Sequence, residues 1–290
     1  MESKDIKVAA VVVTYNRLQL LKECVEALRN QTYKNVDFII VNNGSTDGTG
    51  EWLASQKDLI VITQANLGGA GGFYTGMKYM FDNGYDALLM MDDDGLADSH
   101  QLEYLVKYSQ KYNLDLANAL VLNKNNPSET LWSSGTSKSL YDGEEVILGK
   151  SFLFNGTFVQ RHVIEKIGFV KREMFIWGDD MDYKARVRCA GFRIGTIPKA
   201  IHYHPPFKGI KKRIIPFISK GTITYKPEPI NKIYYRNLGY LDANYFGHKN
   251  FIKYFTYYLL RLRFKEFSYF YKYYKMGSNN DFSINLINRK

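Results

Sequence analysis

The chain has 290 residues, 45% of them hydrophobic, which suits one large domain with an appendage. Its two cysteines, Cys24 and Cys189, match no zinc spacing and are expected as packed thiols in a reducing compartment, and neither a secretory signal nor an apolar run of about 18 residues is evident, so a cytoplasmic protein is expected. The net charge of +10 conceals two regions: residues 1–204 hold 22 Lys and Arg against 25 Asp and Glu, whereas residues 205–290 hold 17 against 4.

Val8 to Val13 is a continuous apolar, β-branched run, the mark of a central parallel strand. Thr14-Tyr15-Asn16-Arg17 breaks it, and Leu18, Leu21, Val25 and Leu28 continue at helical spacing. A second strand over 36–41 ends in the polar turn Asn42-Asn43-Gly44-Ser45-Thr46-Asp47, which leads to a short helix around Trp52. Leu59 to Thr63 is a third strand, followed by the turn Asn66-Leu67-Gly68-Gly69-Ala70-Gly71-Gly72 and a helix from Phe73 to about Phe81. The fourth strand, 87–91, runs straight into Asp92-Asp93-Asp94-Gly95. Strands alternating with helices imply a doubly wound, mostly parallel α/β sheet, in which ligands bind beyond the carboxyl ends of the strands.

Each polar loop sits at such an end. Thr14, Asn16 and Arg17 offer hydroxyl, amide and guanidinium groups, and Asn43 and Asp47 offer base- or ribose-binding groups. The glycine-rich turn allows backbone to approach a ligand, and the helix after it favours an anion. Three acids in a row call for positive charge, and oxygen ligands suit magnesium or manganese. Taken singly, each loop is also compatible with ordinary turn chemistry, and the acids with a solvated turn. Together they describe a nucleotide pocket, although Gly68–Gly72 does not fit GxGxxG and Gly149-Lys150-Ser151 lacks the glycine spacing of a P-loop.

These residues, with Gln31-Thr32-Tyr33 and the triple Asp, resemble the GT-A glycosyltransferases of family 2, over about residues 6–240. The variant Asn66–Phe73 with Met91-Asp92-Asp93-Asp94 looks most like the galactofuranosyl- and rhamnosyltransferase branch. The resemblance implies a GT-A (Rossmann-like) catalytic domain over 1–240 and a helical extension over 241–290. It implies Mn2+ or Mg2+ on Asp92 and Asp94, with Asp92, Asp93, Asn66 and Gly69 among the nucleotide contacts. Asn42-Asn43 stands where the family has an acidic pair, which leaves the base open.

Asn155 and Gly156 of Phe154-Asn155-Gly156-Thr157 are expected to face the sugars. Phe175-Ile176-Trp177-Gly178-Asp179-Asp180-Met181-Asp182 resembles the family's acidic-pair motif. That resemblance makes Asp180 the general base, Asp179 an acceptor-orienting group and Trp177 a ring to stack on sugar, while Asp182 suits a helix-dipole acid. The resembling branch has a His after the strand that corresponds to 194–201 as a third metal ligand, and its spacing from Pro198 favours His204, with His202 as the alternative. Arg236, in Tyr234-Tyr235-Arg236-Asn237, is compatible with a phosphate contact or a helix surface.

Lys249 to Lys275 holds twelve Phe or Tyr and seven Lys or Arg, with Glu266 its one acid. As one helix it places Phe251, Ile252, Phe255, Tyr258, Leu259, Leu262, Tyr269, Phe270 and Tyr273 on one face, with most basic residues opposite. That pattern suits an anionic membrane interface or a helix packed on the catalytic domain. The expected activity is inverting transfer from a nucleotide sugar, UDP-galactofuranose first and dTDP-rhamnose second, to a lipid-linked glycan at the inner face of the cell membrane. Competing readings are a non-catalytic nucleotide-sugar-binding homologue and a sugar-phosphate nucleotidyltransferase. Nucleic acid is not an expected partner, and an oligomer is compatible with the pattern.

Overall fold

A computed structural model describes residues 5–131, 137–151, 154–206, 210–215 and 221–284, which form two compact units. The first unit comprises residues up to 172 and 183–206; the second comprises 173–182 and the chain after 206.

In the first unit the β-branched and apolar runs form β1 (Val8–Thr14), β2 (Val36–Asn42), β3 (Leu59–Thr63) and β4 (Ala87–Asp92). The connecting helices are α1 (Leu18–Arg29), α2 (Thr49–Ala54) and α3 (Gly68–Asp82). Then follow β5 (Leu96–Ala97), α4 (Gln101–Tyr112), β6 (Leu116–Asn123), β7 (Asn126–Thr130), β8 (Ile147–Leu148), β9 (Thr157–Gln160), α5 (Arg161–Ile167), α6 (Asp179–Cys189) and β10 (Ile194–His204). The strand order is β3-β2-β1-β4-β9-β6-β10-β5, with β7 on β6 and β8 on β10. β1 lies parallel to both β2 and β4, so the chain winds outward from it in opposite directions and leaves a crevice at its carboxyl end. β9 runs antiparallel between β4 and β6, and β6 and β10 are again parallel. The sheet is thus mostly parallel, with reversed strands at β9 and at its margins.

Leu88 to Met91 are wholly buried, and each such side chain contributes about 1.5–3 kcal/mol of transfer free energy. That burial anchors the strand that carries the acids. The glycine-rich segment departs from the expected turn: Gly68–Gly72 is the first part of α3. Its glycines serve helix-to-strand approach, because a Cβ on Gly72 or Gly76 would stand 2.3 Å from Val13 or Val11 of β1. Cys24 is buried as expected, whereas Cys189, at the last position of α6, is exposed.

The second unit contains the hairpin β11 (Ile210–Arg213) and β12 (Thr222–Tyr225), then α7 (Asn231–Leu241), a π-turn over Asp242–Phe246, α8 (Lys249–Leu259) and α9 (Phe264–Ser278). Its core is largely aromatic, with Tyr235, Tyr254, Tyr258, Phe270 and Tyr274 buried together. α7 and α9 touch backbone to backbone: a Cβ on Gly277 would lie 1.7 Å from the Arg236 carbonyl oxygen. The expected single helix over 249–275 is two helices that turn at residues 260–263. Tyr258 and Phe270, placed by the helical wheel on a membrane-facing stripe, are buried in this core instead. Among the described residues no helix is long and apolar enough to cross a membrane.

The glycines separate in their consequences. Gly277→Ala should cost about 1–3 kcal/mol or more, because backbone blocks the new methyl. Gly69→Ala, inside α3 with nothing within 4 Å of the added methyl, should stabilise by up to about 1 kcal/mol. Urea unfolding of the two variants measures both.

Candidate active site

β4 ends where its apolar run ends, and the three carboxylates that follow are drawn together by the turn at Gly95, whose N–H donates to the Asp92 carbonyl at 3.2 Å. Asp93 is buried and fully engaged: Thr14 Oγ1 donates to Oδ2 at 2.7 Å and Arg17 Nη1 to Oδ1 at 3.2 Å. The same Arg17 nitrogen donates to Asp94 Oδ2 at 2.8 Å, while the guanidinium stays 48% exposed. Arg17 therefore neutralises two acids and still faces solvent at the strand exit, where a phosphate would be met. Asp93, expected as a nucleotide contact, spends both oxygens on holding Thr14 and Arg17.

Asp94 Oδ1 is buried without a hydrogen bond, although His204 Nε2 stands 3.1 Å away as an ion pair. His204 Nδ1 donates to the Pro205 carbonyl at 2.7 Å, which turns Nε2 toward the acids. One ligand atom from each of Asp92, Asp94 and His204 lies within 4.8 Å of the others, and among the described residues this is the one such group of three. At that separation two carboxylates repel by about 3–4 kcal/mol at an effective dielectric near 20. Burial, then the charge of Asp94, pushes Asp92 up to about 7 against the pull of His204 and Arg17. Burial raises Asp94 too, but His204 and Arg17 outweigh it and hold that carboxyl below its ordinary value. Burial would lower His204, yet Asp94 and Asp92 carry it above the usual imidazole value. A buried oxygen without a hydrogen bond, a repelling carboxylate pair and an oriented imidazole fit a hard divalent cation. His202 does not join them: burial drives it down to about 3 and its Nδ1 meets Gln101 Oε1 at 3.1 Å.

The neighbouring loops are brackets. Asp47 accepts from the Thr49 hydroxyl at 2.5 Å, from the Leu18 N–H at 3.0 Å and from the Thr49 N–H at 3.2 Å, so it ties the starts of α1 and α2 together, and these bonds, the hydroxyl's first, lower its pKa. Asn16 Oδ1 accepts from the Thr46 N–H at 2.7 Å. Asn43 is buried; its amide donates to the Gly68 carbonyl at 2.9 Å and accepts from Gln64 and from the Leu67 N–H. Asn66 Oδ1 takes the Gly68 N–H at 2.9 Å. Asn43 is thus engaged by protein groups around its loop, whereas Asp47 bridges Leu18 and Thr49 and stays exposed at the surface. Gly69 lies in the first turn of α3. Tyr15, a 45% exposed ring on the β1 exit loop, had no sequence signal beyond its position. The Asn155 Oδ1 is buried without a hydrogen bond, and the Gly156 carbonyl accepts from the Ala119 N–H at 2.9 Å, which ties that loop to β6.

In the second unit, residues 173–178 form a loop of costly backbone: Phe175 and Trp177 have φ of 65° and 61°, and Gly178 has 97°. A side-chain clamp from α7 holds it. Asn237 Nδ2 donates to the carbonyls of Met174, Ile176 and Trp177 at 2.9, 3.0 and 2.6 Å. Arg236 fixes that amide through Asn237 Oδ1 and itself donates to the carbonyls of Glu173 and Met174 at 3.0 and 3.1 Å. Arg236 is neither a phosphate contact nor a helix surface residue; it is 1% exposed.

The clamp sets the start of α6, where Asp179 is buried and Asp180 half-buried. Asp182 lies in the first turn of α6, as a helix-dipole acid should, and is fully buried there, accepting from the Tyr245 hydroxyl at 2.9 Å. Lys226 Nζ stands 4.0 Å from the centre of the Trp177 ring, so one indole face already carries a cation. Burial lowers Lys226 to about 8, opposed by the charge of Asp180. Asn237→Ala should cost about 1–3 kcal/mol by leaving three carbonyls underbonded. Hydrogen exchange should quicken selectively over residues 174–178, as mass spectrometry would show.

The family profile described as "Glycosyl transferase family 2" matches residues 9–175. The galactofuranosyltransferase GlfT1 of Mycobacterium tuberculosis (strain CDC 1551 / Oshkosh) is 31% identical over 252 residues, 81% of each chain. Among solved structures, S. aureus TarS 1-349 in complex with UDP aligns with a TM-score of 0.55 and 15% identity, covering 82% of this chain and 64% of that one. GalNAc-T7 with UDP, GalNAc and Mn2+ aligns with a TM-score of 0.58 and 12% identity, covering 82% and 48%. These two likenesses carry the fold. The profile match, which spans most of the sheet and the acids that close β4, carries the family: this chain is a glycosyltransferase and belongs to glycosyl transferase family 2.

Proposed function

We propose that this enzyme is an inverting, divalent-metal-dependent transferase that moves galactofuranose from UDP-galactofuranose to a growing glycan. The observation that carries the reading is the group Asp92, Asp94 and His204 at the carboxyl end of β4, beside the exposed guanidinium of Arg17. The choice of sugar rests on the likeness to GlfT1, with dTDP-rhamnose as the second donor to test. The catalytic assignment covers residues 1–240, with 241–290 as the helical extension. The acceptor is a glycan on a lipid carrier at the cytoplasmic face of the membrane, as surface polysaccharide or capsule synthesis requires.

Asp92, Asp94 and His204 would hold Mn2+ or Mg2+, which when bound supplies Lewis-acid neutralisation of the departing diphosphate. Arg17 adds fixed positive charge for the same oxygens, and Thr14 and Asp93 hold Arg17 in place. The bracketed loops at Asn16, Asn43, Asp47, Asn66 and Gly69 frame the nucleotide, with Tyr15 available to stack on its base. Asp180 accepts the proton of the acceptor hydroxyl as its oxygen attacks the anomeric carbon opposite the diphosphate. The charge of Asp180 in turn favours the ammonium form of Lys226 against the effect of burial. Asp179, Trp177, Asn155 and Gly156 orient the sugars.

Asp180→Asn should lower kcat by about 10²–10⁴-fold while donor affinity, read by isothermal titration, stays within a few-fold. Unchanged turnover refutes the base. EDTA should abolish transfer from UDP-galactofuranose, and Mn2+ should restore it in the native enzyme and fail in Asp94→Asn. Transfer that survives chelation refutes the metal assignment, and transfer from dTDP-rhamnose alone replaces the donor.

A further inference from the structure

We propose that the corner joining α8 and α9 docks the enzyme on an anionic lipid bilayer, which deepens the lipid-linked-acceptor reading by naming the surface involved. The observation is a cluster of exposed large apolar side chains at one corner of the second unit. Leu262 is 74% exposed, Phe264 59%, Ile252 58% and Leu260 55%, with Leu259, Phe255 and Tyr271 exposed beside them. The patch is continuous across the two helices, because Phe255 meets Phe267 at 5.3 Å between ring centres and Phe267 meets Tyr271 at 6.0 Å. Single exposed apolar residues are ordinary on a soluble protein; a cluster with four aliphatic members at one corner is not. Leu262 also has φ of 52°, a left-handed position where a solvated turn would use Gly or Asn. The turn thereby presents a leucine to solvent at a cost in both backbone strain and hydration.

The surrounding charge selects the partner. On α8, exposed Lys249 and Lys253 lie roughly 60–100° around the helix from Ile252, and on α9 exposed Lys265 and Lys272 lie roughly 80–100° from Phe264. Lysines in these positions can reach lipid headgroups while the apolar side chains enter the acyl boundary. The one acid of residues 249–275, Glu266, is paired with Arg263 at 2.5 Å, so its charge is compensated. Arg261 is occupied otherwise: it donates to the carbonyls of Ile214 and Arg213 at 2.8 and 3.0 Å and fixes the corner to β11 and the residue after it. A second copy of the chain would bring like-charged rims together, and a nucleic acid would leave the leucines and isoleucine without hydrocarbon to enter. An anionic bilayer satisfies both the rim and the patch.

Vesicle co-sedimentation of the full chain tests this, with mixed phosphatidylglycerol and phosphatidylcholine in one arm and phosphatidylcholine alone in the other. The protein should sediment with the anionic vesicles, more weakly at high salt, and hardly with the neutral ones. The double variant Leu262→Asp/Phe264→Asp should reduce partition by about tenfold or more, and Lys265→Glu/Lys272→Glu should reduce it for anionic vesicles. Both pairs are exposed, so circular dichroism and transfer to a water-soluble acceptor should match the native enzyme. The proposal is overturned if the native protein stays in the supernatant with anionic vesicles, or if the Leu262/Phe264 variant binds as the native protein does. It is also overturned if sedimentation velocity shows native dimers that this variant abolishes. Vesicle binding without any transfer would count against the catalytic reading and leave the docking surface standing.

Discussion

Three adjacent carboxylates at the end of a fully buried strand impose the constraint around which the first unit is built. Hydrophobic burial of β4 holds the acids where they repel one another. The protein answers each acid differently. Asp93 is neutralised internally by Thr14 and Arg17. Asp94 is shared between Arg17 and His204, and Asp92 is left with its charge disfavoured. A chain that needed only a stable turn would have no use for this arrangement, because one neutral residue would remove the repulsion. The residual imbalance is what a divalent cation and a diphosphate would complete between them.

The polar residues around this centre follow a common logic. Asn16, Asn43, Asp47 and Asn66 all sit on loops at the carboxyl ends of strands, and all spend their hydrogen bonds on backbone from another loop or from a helix start. Asn237 and Arg236 do the same for residues 173–178, where successive left-handed residues would otherwise relax. In each case a side chain, buried at Asn43, Asn237 and Arg236 and exposed at Asn16 and Asp47, stands in for missing secondary structure. The functional loops gain a defined shape without the rigidity of a strand, and the exposed groups they carry, such as Arg17, keep a fixed direction.

Much of this was legible in the order of residues. The runs Val8–Val13 and Leu88–Met91 announced parallel strands, and the triple Asp announced a cluster of carboxylates at the end of β4. Of the two histidines at the end of β10, His204 reaches Asp94, while His202 is buried beside Gln101. Other readings failed for identifiable reasons. Gly68–Gly72 looked like a turn because glycine disfavours helix, yet the segment opens α3, where Gly72 and the later Gly76 allow close approach to Val13 and Val11. The wheel drawn over 249–275 assumed one straight helix, so it assigned Tyr258 and Phe270 to an outer face. The chain instead turns after Leu259, where Arg261 is tied to carbonyls nearly fifty residues earlier, and the apolar surface left outside is Leu260, Leu262 and Phe264.

The sequence by itself determined what depends on near neighbours: strand and helix periodicity, the placement of polar loops at strand ends, and the chemical kinds of group present in each. Tertiary structure alone decided which of those groups remain available to a ligand. Asn43 and Arg17 look equally suited to a nucleotide in the sequence. Asn43 is consumed by partners some twenty to twenty-five residues away, while Arg17 remains half exposed after meeting two acids nearly eighty residues away. A hydrogen-bonding side chain has a limited number of donors and acceptors, and only the folded chain shows where they have been spent.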